Sequence, residues 1–258
     1  MRPGWRNRLE MVHEMTKENR DLPLINQHMQ KTFAFRRQEI VKSSPSVEHL
    51  RTRWPALFLE AQVHAEFQRI TNQSLQQTFY AALDLHTPRL LTLFREKEGK
   101  STTHGGKFSS ILRVYNEQFT SQGEKNITVA RSAVLAGLPL LLREDSSDVF
   151  KICKVGELSN PGILDGVSIL SVVGQHNEVV GGIPIRPAHV SIVLEDKIVM
   201  TSSWPDALMV VFGLLYSLHL NYPKALGSTF ELMQKVFLNL DDGKLKPKLL
   251  ALKNELLA

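Results

Sequence analysis

Cysteine is nearly missing from this chain: Cys153 is the only one in 258 residues. A lone thiol excludes an internal disulfide, so the composition suits a reducing compartment. Cys153 ends the run Val149-Phe150-Lys151-Ile152-Cys153, which predicts a strand carrying a buried structural thiol. Long apolar runs are missing too. The longest, Ala207 to Leu220, falls short of the roughly 20 residues that a spanning helix needs. It predicts a core helix buried on all faces. Trp5 to Arg20 is charged throughout, which excludes the apolar centre of a signal peptide there. These absences together predict a soluble intracellular protein, cytoplasmic or nuclear, neither secreted nor inserted in a membrane.

Catalytic patterns are equally scarce. Gly99-Lys100-Ser101-Thr102 resembles the end of a phosphate loop, but the full pattern needs glycine where Phe94 stands, and Glu96 and Glu98 would repel phosphate. A helical pattern precedes it where a strand is required. Gly105-Gly106-Lys107-Phe108 fails in the same way. Among His13, His28, His49, His64, His86, His104, His176, His189 and His219, no two are spaced as metal ligands usually are, and none adjoins the cysteine. His219 reads as a core or capping residue. Gly166-Val167-Ser168 lacks the second glycine of a serine-hydrolase elbow. Glu144-Asp145 with Asp148, and Asp241-Asp242, read as solvated turns. No catalytic, cofactor-binding or metal-binding residue is assigned.

The chain does have an uneven charge. Residues 1–125 carry a net +6 and residues 126–258 a net −1, within an overall +5. The first 125 residues read as a basic helical region. Trp5, Leu9, Val12 and Met15 fall on one helical face, and Ile25, Met29, Phe33 and Ile40 on another after the Asp21-Leu22-Pro23 break. Ser44 and Pro45 suit a helix start, and Trp54-Pro55 opens the next helix, with Leu59, Val63, Phe67 and Ile70. Ser74 with Gln77 forms a capping box, and Leu75, Phe79, Leu83 and His86 follow it. Thr87-Pro88 predicts a fresh helix start, Lys97 to Lys107 a polar linker, Phe108 to Phe119 one more amphipathic helix, and Gln122 to Asn126 a second linker.

Residues 126–258 read as an α+β region with glycine-rich connections. Leu138 to Leu142, Val149 to Cys153 and Val167 to Val173 predict strands. Val190 to Leu194 and Ile198 to Thr201 flank Glu195-Asp196-Lys197 as a hairpin. Helices are predicted from Pro205, from Ser228 with Glu231 as a capping box, and from Pro247. The fold class is therefore α+β: a helical amino-terminal half, then a small mixed or antiparallel sheet packed by two or three carboxy-terminal helices.

Arg36, Arg37, Lys42, Arg51 and Arg53 form one positive patch if the helices at 25–42 and 46–53 pack as a hairpin. Such a patch suits nucleic acid or another acidic partner. Glu39 and Glu48 lie between these cations, as on an ordinary solvated face, and Phe33, Phe35 and Trp54 read as core. A weaker reading takes Gly181-Gly182 with His176 or His189 as an unrecognised enzyme site.

Five stretches carry a family resemblance. They are residues 29–41 (MQKTFAFRRQEIV), Arg53-Trp54-Pro55-Ala56-Leu57-Phe58, Thr87-Pro88-Arg89-Leu90-Leu91, Gly137-Leu138-Pro139 through Leu142-Arg143-Glu144-Asp145, and Phe150-Lys151-Ile152-Cys153-Lys154. Together they resemble the carboxy-terminal region of the sterile alpha motif domain-containing protein 3-like proteins. The resemblance implies a chain that begins after the sterile alpha motif domain, and it brings no site residues with it. The favoured expectation is a non-enzymatic interaction module with a protein partner, the alternatives being nucleic-acid binding and an unrecognised enzyme. Oligomeric state is left open.

Overall fold

Prolines and short polar breaks divide the first 75 residues into short helices. The computed structural model describes residues 3–98, 105–120, 127–154, 166–173, 179–180, 183–184, 189–241 and 243–257. The chain forms two compact units, both discontinuous in sequence: residues 1–75 with 210–221, and residues 76–209 with 222–258. The charge division at residue 125 follows composition, whereas these units follow packing.

The first unit contains α1 (Pro3–Met15), α2 (Leu22–Lys31), α3 (Phe33–Ser43), α4 (Val47–Arg53), a 3-10 turn (Pro55–Phe58) and α5 (Glu60–Thr71). Asp21 caps α2 by accepting the Leu24 N–H at 2.9 Å, and Pro23 fits the first turn. The cap of α4 is Ser46, which accepts from the His49 N–H, whereas Ser44 ends α3 in the left-handed conformation. The predicted α1 stripe is also corrected. Met11 and Glu14 are buried, while Trp5 and Leu9 stay 39% and 46% exposed. Glu14 tolerates burial because its carboxylate accepts the Asp21 N–H at 2.9 Å and pairs with Lys17 at 2.6 Å. The Asp21 N–H and then Lys17 hold its pKa below the ordinary carboxylate range.

The last part of α9 (Trp204–Leu218) belongs to this unit and packs Phe212 and Tyr216 on Phe67, with ring centroids 6.0 and 5.3 Å apart. Gly213 makes room here: a Cβ would come within 2.7 Å of Val63. α9 ends in a Schellman motif. The His219 N–H reaches the Tyr216 carbonyl, the Leu220 N–H reaches the Leu215 carbonyl, and His219 sits at φ +56°. His219 is thus an exposed capping residue.

The second unit contains α6 (Leu75–Glu98, from Gln76), α7 (Gly105–Thr120), α8 (Ile127–Leu141), a mixed sheet, α10 (Gly227–Leu232) and α11 (Pro247–Leu257). The predicted break at Thr87-Pro88 is absent. Phe79, Leu83, His86, Leu90 and Phe94 are all buried and stay in phase on one face across Pro88, so packing outweighs the lost N–H. The polar stretch 97–107 is correspondingly shorter, since α6 runs to Glu98 and α7 starts at Gly105. Leu138–Leu142 is a second correction. It belongs to α8 and its end, not to a strand, because a short apolar run cannot by itself separate a strand from a buried helix. Gly137 is needed in α8, as a Cβ there would lie 2.3 Å from Phe94.

The sheet order is β1 (Phe150–Lys154), β2 (Val167–Val173), β5 (His189–Leu194) and β6 (Lys197–Ser202), with β1 parallel to β2 and the other pairs antiparallel. A separate two-stranded ladder joins β3 (Val179–Val180) and β4 (Ile183–Pro184). Ile169 faces Ile192 across the central pair, and both are fully buried. The β5–β6 hairpin turns at Glu195 and Asp196, whose φ values of +47° and +62° are those of a type I′ turn. Cys153 is buried beside Leu170 and Val193. The architecture is α+β, with a helical amino-terminal part followed by a mixed open sheet and further helices.

The start of α10 departs from its predicted capping box. Leu226, not Ser228, precedes the helix, and the Glu144 carboxylate accepts the Ser228 and Thr229 N–H groups and the Thr229 hydroxyl at 2.5, 2.9 and 2.7 Å. Glu144 is therefore a capping anion and not a solvated turn residue. Asp145 and Asp241 do sit in turns, accepting the Ser147 and Gly243 N–H groups. Glu231 pairs with Lys235 and Lys246.

Candidate interaction surface

The five cations singled out in the sequence lie on α3 and α4, and they have different surroundings. Arg36 is completely buried. Its guanidinium donates to Glu66 Oε1 at 3.0 Å and Oε2 at 2.5 Å, to Thr32 Oγ1 at 2.8 Å and to the Met29 carbonyl at 3.2 Å. Glu66 also takes Arg69 at 2.9 Å. The bidentate fork and the extra donors satisfy a charge pair that would otherwise be costly to bury. Arg37 is half-buried and donates to the Tyr216 carbonyl at 3.0 Å, which also takes the His219 N–H, and to the Ser217 carbonyl at 3.5 Å, so it serves the last carbonyls of α9. Burial is the main reason its pKa lies below the usual arginine value. Lys42 and Arg51 are exposed, and Arg53 is half-buried and paired with Glu39.

The surface near Arg53 includes two residues that the sequence reading did not select. Trp5 packs on Phe35 with centroids 6.5 Å apart, and Phe35 packs edge-on to Trp54 at 6.1 Å. The Arg8 guanidinium lies 4.9 Å from the Trp5 ring centre, and the Arg53 guanidinium lies 5.3 Å from it. Cation–π attraction holds both arginines on the half-exposed indole. Glu39 meets Arg53, accepts from Trp54 Nε1 at 3.3 Å, and lies 3.8 Å from His49. Arg8 Nε has no hydrogen-bond partner among the described residues. Its pKa is pushed down first by burial and next by the charge of Arg53, with Glu39 opposing. Glu39 is thus paired with Arg53 and not with Arg8. The signal for this site was present in the sequence as Trp5 and Arg8, three apart on one helix. It was masked because Trp5 also fits an apolar stripe.

Residues 6–59 match the family model described as Sterile alpha motif domain-containing protein 3, helical domain. The match runs from α1 through the 3-10 turn and stops before α5. It includes Arg8, Glu39 and Arg53, and two of the five resembling stretches, 29–41 and 53–58, fall inside it. No curated protein and no solved structure matches the chain.

Of the glycine-bounded histidine reading, His189 opens β5 and is exposed. His176, Gly181 and Gly182 lie outside the described residues, as do Gly99 to Thr102. Among the described residues, no helix is long and apolar enough to cross a membrane.

Proposed function

We propose that the chain is a non-enzymatic protein-interaction module whose first helical unit binds an acidic segment of a partner protein inside the cell, in the cytoplasm or the nucleus. The Trp5 surface supports this reading. Two guanidinium groups flank a half-exposed indole, Glu39 is paired with Arg53, and Arg8 has no ion pair among the described residues. Tryptophan and arginine are the side chains that most often anchor interfaces. The surplus positive charge favours a partner carboxylate, and the indole with the neighbouring exposed Leu9 favours an apolar side chain beside it.

The test is a tagged pull-down in parallel from nuclease-treated and untreated cell extract, comparing the native chain with Trp5→Ala and Arg8→Glu. Specific protein partners should survive nuclease and be lost from both variants. Partners that vanish with nuclease would replace this reading with nucleic-acid binding. In that alternative Lys42 and Arg51 are the exposed cations of the sequence patch, and affinity should fall steeply with salt.

A further inference from the structure

The second unit contains a cleft of about 390 Å³ between the end of α8 and one face of α11. This volume is within the range of small-molecule sites, about 300–1,000 Å³. Leu141 and Ala251, which keep exposed surface, and the buried Leu142 and Leu252 form its apolar wall. Lys97, Arg143 and Lys248 line it, and Glu255 is the single acidic side chain among its lining residues.

Each cation has a different origin. Lys97 is in the last turn of α6, where a positive charge complements the helix dipole. Lys248 is in the first turn of α11, a turn without an acidic residue, where the dipole opposes a cation. Arg143 follows α8 at φ +50°, a left-handed position that favours glycine or asparagine. Its N–H reaches the Leu140 carbonyl and the next N–H reaches Pro139, completing a Schellman motif. An arginine is thus held where the backbone would prefer no side chain. Among the described residues, no ion pair or side-chain hydrogen bond occupies the head group of Lys97, Arg143 or Lys248.

We infer that this cleft binds a small organic phosphate. The phosphate sits among Lys97, Arg143 and Lys248, the apolar body of the ligand lies on Leu141 and Ala251, and Glu255 accepts a hydrogen bond from a ligand hydroxyl or amine. Arginine and lysine bind phosphate by charge-assisted hydrogen bonds, and the mixed apolar wall selects against the bare ion. This site is separate from the Trp5 surface and does not depend on the reading given for it.

Calorimetric titration of the full chain with phenyl phosphate, inorganic phosphate and benzyl alcohol tests the inference. Phenyl phosphate should bind with one-to-one stoichiometry and more tightly than either other probe. Arg143→Gly suits the left-handed backbone and should keep the fold, which a thermal melt checks. Both it and Lys248→Glu should weaken phenyl phosphate by about tenfold or more. The inference is overturned if phenyl phosphate fails to saturate below about 10 mM, which is weaker than about 3 kcal/mol of binding. Equal affinity for inorganic phosphate, or binding unchanged in both variants, would overturn it as well.

Discussion

Arg36 illustrates how one residue changes its meaning once its neighbours are known. In the sequence it is half of a basic pair; in the structure it is a buried guanidinium shared between Glu66, Thr32 and a backbone carbonyl. Arg36→Ala should destabilise the chain by about 3–5 kcal/mol, because Glu66 then keeps a buried charge with one partner fewer. The double variant Arg36→Met with Glu66→Leu should lose clearly less. Urea melts measure both, and equal losses would refute the argument. His86 gives a pH-dependent counterpart. Its burial against Phe237 pushes its pKa down, against a smaller opposite effect of its hydrogen bond to the Leu256 carbonyl. The unfolded chain therefore takes up this proton at a higher pH than the folded chain does. Stability from this group is full above about pH 6.5 and declines as pH falls below it, levelling off beneath the lowered folded value. His86→Gln should flatten the slope of melting temperature against pH in that window.

At the scale of elements, the apolar helix α9 is the clearest success of pattern reading, and α8 the clearest failure. Both are apolar runs, but α9 is long enough that only a helix fits, whereas Leu138–Leu142 alone suits either structure. Phe212 is fully buried against Phe67 and Tyr216. Phe212→Ala should cost about 3–5 kcal/mol in a denaturant melt, and a loss below about 1 kcal/mol would contradict this placement. Helix ends were less legible than helix faces. Ser228 with Glu231 has the spacing of a local cap, but Glu144, far away in sequence, supplies the acceptor. A local motif competes poorly with a carboxylate that accepts two N–H groups and a hydroxyl at once.

For the whole molecule, the first unit requires segments from two distant parts of the chain. The family-matched segment ends at Leu59, yet the partner of its Arg36 is Glu66, and the rings on Phe67 come from residues 212 and 216. A fragment of residues 6–59 should therefore show no cooperative thermal transition by circular dichroism. A fragment of residues 1–75 joined by a flexible linker to residues 204–221 should regain one. A sigmoidal melt of the short fragment would show that the matched segment folds alone.

The sequence by itself determined the fold class, most helix faces, the hairpin and the buried Cys153, because each follows from local periodicity and turn chemistry. It also placed positive charge in the first half of the chain. Only the tertiary structure decided what those charges do. Arg36 turned inward because a carboxylate on α5 could satisfy it, Arg37 turned to the last carbonyls of α9, and Arg8 and Arg53 settled on Trp5. Charge pairing acts between residues far apart in sequence, and its outcome depends on which groups folding brings within a few ångströms.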